Sequence, residues 1–148
     1  MDIRQAIDAH ASWKGRLAAY LLHPDHSLDP TTIALDVDCE LGNWLQCEGQ
    51  VESAWPGFAQ LVRDHGRFHL EAADLVRRAN AGEWISDETA LGSMSAYTKA
   101  SNAVITALLL IKNRRLLPVS VQPAAFVGDA PLSGRCVSSI QSSVTQDA

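Results

Sequence analysis

Two imidazoles stand four positions apart in the segment His65-Gly66-Arg67-Phe68-His69. On a helix that spacing puts them one turn apart on one face, where both can reach a single metal ion at Zn–N distances of about 2.0–2.1 Å. Alone the pair is weak, since histidines at this spacing also arise by chance and serve as hydrogen-bonded core residues. Two further residues strengthen it. His10 falls within the apolar stripe of another helical segment, and three imidazoles buried together without partners would be unfavourable. A shared cation uses their lone pairs, and Cys39 offers a soft thiolate that completes the tetrahedral Cys/His set zinc prefers. The candidate metal ligands are therefore His10, Cys39, His65 and His69, and the expected cofactor is one Zn2+ ion.

These residues need helices to position them. Ile3, Ile7, His10, Trp13, Leu17 and Leu21 recur at three-to-four spacing, which predicts an amphipathic helix ending before His23-Pro24. Asp29-Pro30 reads as an N-cap followed by a first-turn proline, predicting a second segment from Thr31 to about Val37, interrupted or re-capped at Asp38 or Gly42. A third helix is expected from Trp55-Pro56 to Asn80, with Phe58, Leu61, Val62, His65, Phe68, His69, Ala72, Leu75 and Val76 on one face. Ala81-Gly82 ends it. Ser86 or Asp87 then caps a fourth helix through Leu91, Met94, Thr98, Ile105, Leu108 and Leu109 to about Arg115. The expected fold is all-α: a four-helix bundle over residues 1–116, a short irregular segment carrying Cys39, and an irregular or disordered tail over 117–148, where Pro, Ser and Gln residues replace any period.

Three fragments, His10-Ala11-Ser12-Trp13, Cys39-Glu40-Leu41-Gly42-Asn43-Trp44 and His65-Gly66-Arg67-Phe68-His69, together resemble the chemoreceptor zinc-binding domain family, whose pattern is H-x-x-W, C-x-L-G-x-W, H-x-x-x-H. The fragments are separated in the order and at the range of gaps the family shows, and the resemblance extends over roughly residues 3 to 115. It implies a four-helix, zinc-binding cytoplasmic signalling domain, commonly a homodimer, attached in relatives to chemoreceptors or to diguanylate cyclases. It also implies two inputs, zinc availability and oxidation of the ligating cysteine by species such as hypochlorous acid. No chemoreceptor signalling helix or cyclase domain is legible after Arg115: either the domain signals to a chemotaxis or cyclic-di-GMP partner in trans, or the irregular tail marks a truncated or divergent fusion. The alternative is a zinc-stapled dimerisation module without a sensing role, for which the Leu108-Leu109-Leu110-Ile111 cluster offers apolar surface on more than one face.

Composition narrows the remaining classes. With 148 residues, 47% of them hydrophobic, the chain can bury one core. A formal charge of −5 gives no reason to expect nucleic acid or an anionic membrane as partner. The N-terminus lacks the pattern of a signal peptide, and the longest apolar run, Ala107 to Ile111, is far too short to span a bilayer. Three cysteines, at 39, 47 and 136, form no even framework, in keeping with a reducing, cytoplasmic setting. An enzyme is not expected. A zinc hydrolase helix carries Glu after its first histidine as general base, and Gly66 occupies that place, while four protein ligands leave no open coordination position. A di-iron bundle would need carboxylates in the apolar seams, which hold none.

Overall fold

The computed structural model describes residues 1–116, and among these all regular structure is helical. The expected tail, 117–148, lies outside the described residues. Three long helices, α1 (Ile3–Leu22), α4 (Phe58–Asn80) and α6 (Ala96–Leu116), form the frame, and three short ones, α2 (Pro30–Ile33), α3 (Glu40–Gln46) and α5 (Asp87–Leu91), complete it. Of the four helical segments expected from periodicity, the first and third are single long helices, the second is interrupted as expected, into α2 and α3, and the fourth is divided into α5 and α6. Two 3-10 turns, Asp36–Asp38 and Glu48–Glu52, flank α3.

Local chemistry explains the boundaries. The Asp2 carboxylate accepts from the Arg4 N–H at 2.7 Å and starts α1, while Pro24 forbids its continuation beyond Leu22. Asp29 accepts from the N–H groups of Thr31 and Thr32 and so starts α2 with Pro30 in the first turn, as expected, but α2 stops after a single turn at Ile33. Gly82, at φ 80, takes the left-handed conformation just past α4, and its N–H bonds to the Ala79 carbonyl. The predicted fourth helix is cut in two. Ser86 caps α5, and a second hydroxyl, Ser95 Oγ, accepts from the Thr98 N–H at 3.1 Å and begins α6. The Thr98 hydroxyl donates back to the Leu91 carbonyl at 3.0 Å and holds the two pieces together.

Packing follows from the inward faces. α4 lies against both α6 and α1, α6 also touches α1, and α2 and α3 cover α4. Leu17, Leu61, Phe68, Val76, Val104, Leu108 and Ile111 are essentially sealed from solvent. The α6 stripe differs from the expected one: Tyr97, Ser101, Val104, Leu108 and Ile111 face inward, whereas Met94 and Leu109 are exposed. A polar clasp closes one end, where Tyr20 donates to Asn80 Oδ1 at 2.5 Å and Asn80 Nδ2 donates to the Leu28 carbonyl. The span Asp87–Leu116 is long and apolar enough, by length and composition alone, to cross a membrane, because its Ala, Thr and Ser residues do not interrupt it as charges would. Its inward side chains are spent on the core described here.

Candidate metal centre

His10 sits midway along α1, and His65 and His69 sit one turn apart in the first half of α4, all three on faces turned toward each other. They are 5%, 1% and 6% exposed, so each ring has left water. One nitrogen of each can approach the others to within 4.8 Å, and ring centroids lie 5.4 Å apart for His10–His65 and 4.7 Å for His65–His69. Phe68, 1% exposed, floors the cluster, with its ring centroid 5.0 Å from His10 and 5.4 Å from His69.

Cys39 enters from the junction between the 3-10 turn Asp36–Asp38 and α3, where it is the N-cap residue of α3. Its Sγ accepts from the Gly42 N–H at 3.3 Å and lies 3.2 Å from His65 Nε2. The fragment C-x-L-G-x-W now has a physical reading. Leu41 and Trp44 bury on the inner face of α3, and a Cβ at Gly42 would fall 1.7 Å from the Asp36 carbonyl oxygen. Only glycine lets the turn lie this close to α3 and deliver the thiol. Among the described cysteines Cys39 is free.

The nitrogens are arranged by role. His10 Nδ1 lies 2.8 Å from the Ala6 carbonyl and His69 Nδ1 lies 2.7 Å from the Ile33 carbonyl, so in both rings Nδ1–H donates and Nε2 keeps its lone pair. Both Nε2 atoms are buried without a hydrogen-bond partner. A buried polar atom without a partner is unfavourable by about 1–3 kcal/mol, and here two of them share one cluster with a third imidazole. Burial, reinforced by the neighbouring His69 and His10, pushes His65 down to about 3, and burial likewise lowers His10 against the opposing Ala6 hydrogen bond. These rings are therefore neutral lone-pair donors at physiological pH. Burial raises the Cys39 thiol, opposed by the Gly42 and Leu41 N–H groups and helped by the Asp36 and Glu40 carboxylates. Without a cation it is a thiol; a bound divalent ion would hold it as thiolate.

A zinc ion fits this donor set. The orphaned lone pairs are the groups that a cation satisfies, and three nitrogens with one sulfur are ligands it favours. Of the four residues singled out in the sequence, the three histidines form the cluster, and Cys39 borders it through His65. Trp13 walls the site: it lines a cavity of about 60 Å3 beside His10, Cys39 and His69 and also a shallow cleft of about 410 Å3 that reaches the same Cys39 and His69. Trp44 does not line either space; it packs beneath Gly49 and Arg115. His23 and His26 stay in the exposed loop between α1 and α2. Two contributors were invisible in the sequence. Phe68 looked like ordinary core, and Asp36, whose Oδ2 stands 4.0 Å from His65 Nδ1, is a lone acid in a stretch of acids.

The family described as the chemoreceptor zinc-binding domain matches this chain over residues 10–76, starting on His10 and covering Cys39, His65 and His69. Over residues 10–76 the chain is therefore similar to a zinc-binding, chemoreceptor-associated signalling family, over a shorter stretch than the 3 to 115 expected from the resemblance. No curated protein and no solved structure matches the chain.

Proposed function

We propose that this chain is a sensory or regulatory zinc domain, in which His10, His65 and His69 bind through Nε2 and Cys39 through Sγ. The observation that carries the reading is the pair of buried, unpartnered Nε2 atoms on His10 and His69, gathered with His65 in one three-histidine cluster that Cys39 borders through His65. Bound zinc supplies the charge that keeps Cys39 a thiolate and ties α1, α4 and the α3 entry together. The residues supply the rest. Carbonyls of Ala6 and Ile33 fix two ring orientations, Phe68 excludes water from below, and the cleft past Trp13 gives a small reagent access to Cys39.

Cys39 is the switch in this reading. Its thiolate attacks hypochlorous acid; sulfur loses two electrons and gains oxygen as sulfenic acid, and chlorine leaves as chloride, so Cys–S⁻ and HOCl become Cys–SOH and Cl⁻. A sulfenic acid no longer holds the metal as the thiolate does, and the segment from Asp36 through α3 is released. That segment is suited to move, being a 3-10 turn and a two-turn helix with Val37 and Leu35 exposed. The released segment would inform a chemotaxis or cyclic-di-GMP signalling partner in the cytoplasm, with no catalytic step by this chain. Self-association as a homodimer is part of the proposal, supported by the exposed Leu109, Leu110 and Leu116 along α6. The same surface supports the second reading, a zinc-stapled dimerisation module without sensing.

Cys39→Ser separates them. For the sensor, the variant binds zinc more weakly in competition with a chelator, and hydrogen exchange rises over residues 36 to 47 while α4 and α6 stay protected. Unchanged affinity and unchanged exchange there would sink the switch, and global loss of protection would favour the staple.

A further inference from the structure

An acceptor on Nδ1 leaves Nε2 its lone pair, and in two of the three imidazoles that acceptor is a main-chain carbonyl, of Ala6 for His10 and of Ile33 for His69. His65 differs. The charged group beside its Nδ1 is the Asp36 carboxylate, with Oδ2 4.0 Å away, an ion-pair distance and not a hydrogen bond, while its Nε2 faces Cys39 Sγ at 3.2 Å. Asp36 touches the centre a second time, through its main chain: its carbonyl lies 3.5 Å from Cys39 Sγ and fills the space left by the missing Cβ of Gly42. Gly66 makes room on the other side, since a Cβ there would come 3.1 Å from Asp36 Oδ2.

We propose that Asp36 is a positioning residue of the metal centre, its carboxylate setting the Nδ1–H tautomer of His65 and balancing the charge of the loaded site. The inference rests on the zinc reading above. A divalent ion with one thiolate leaves a net single positive charge in a region where His65 is 1% exposed, and a buried uncompensated charge is strongly unfavourable. Asp36, two-thirds buried at its side chain, brings a negative charge next to the ligand that lies closest to the sulfur. It also joins His65 to the segment carrying Cys39, so the turn that holds the thiol and the ring beside it are set by one residue. Gly66, in the position where a hydrolase helix carries its base, here gives the carboxylate its place.

Asp36→Asn tests this while retaining size and the main-chain carbonyl that Gly42 accommodates. The expected result is zinc affinity about 10- to 100-fold lower than wild type, with far-ultraviolet circular dichroism unchanged. In the apoprotein, 15N-resolved histidine spectra should show His65 as the Nδ1–H tautomer in wild type and as a mixture in the variant, with His10 and His69 unaltered. Gly66→Ala, which crowds the carboxylate without removing it, should shift the His65 signals in the same sense and keeps the test open if the asparagine variant folds poorly. Wild-type zinc affinity in Asp36→Asn, or an unchanged His65 tautomer in both variants, overturns the proposal. A wild-type protein that takes up no zinc instead removes the metal reading, and the apoprotein spectra then decide the tautomer claim by themselves.

Discussion

Three imidazoles gathered in a helical core would be hard to justify as packing alone, and burial holds two of them, His10 and His65, neutral. Their neutrality has a measurable consequence. The folded-state values of His10 and His65 lie below the ordinary 6.5, His65 at about 3, so below neutrality the unfolded chain takes up protons that the fold cannot. The stability they contribute is therefore complete above about pH 6.5 and is lost as pH falls below it, for His65 down to about 3, at up to about 1.4 kcal/mol per pH unit for a ring. Urea melts of the metal-free protein should show a lower midpoint at about pH 5 than at about pH 7, with little change above that. A midpoint independent of pH across this range would mean that the rings are solvated. The three clustered histidines were legible in the sequence because ligand chemistry is carried by side-chain type and helical spacing. Asp36 and Phe68 were not, because their roles depend on which neighbour the fold sets beside them, and neither residue type is distinctive in its own stretch.

At the scale of elements, α1 and α4 came within about three residues of the expected boundaries because their ends are written locally, in Asp2, His23-Pro24 and Gly82. The second and fourth helices did not. α2 ends after one turn because the chain must leave the helix to bring Cys39 across α4, a demand of the site and not of the local sequence. The α5–α6 break turns on Ser95 and Thr98, hydroxyl residues that read as neutral within a helix. The face of α6 was misjudged because Leu108 to Ile111 is apolar on every side and carries no phase; Tyr97, Val104, Leu108 and Ile111 in fact share the buried stripe. The tightest element contact, the turn of Asp36 against Gly42, invites a test. Gly42→Ala forces its methyl into the Asp36 carbonyl; overpacking of this kind destabilises by about 1–3 kcal/mol, partly offset by the better helix propensity of alanine. The expected signature is a loss of zinc affinity larger than the loss of thermal stability, measured by chelator competition and by melting. Equal effects on both would mean that the turn does not position Cys39.

On the scale of the whole molecule, the apolar core and the polar centre are stacked on the same helices. Phe68 links them, touching two imidazoles on one side and Tyr97 of α6 on the other. The outer surface of α6 carries the consequence for assembly. Leu108 and Ile111 are sealed, but Leu109 and Leu110 are 42% and 50% exposed on the side away from the core. Leu110→Glu should leave helicity and zinc content unchanged and convert a dimer to a monomer in light scattering; an unchanged mass would place any self-association elsewhere.

The central claim is one ion held by three nitrogens and one sulfur of this chain. X-ray absorption at the zinc edge on the purified, metal-loaded protein tests it most directly. The account predicts one zinc per chain with three nitrogen scatterers at about 2.0–2.1 Å and one sulfur at about 2.3 Å, the sulfur vanishing in Cys39→Ser. A shell without sulfur in the wild-type protein, or zinc bound with the same shell after His10, His65 and His69 are replaced, would contradict it.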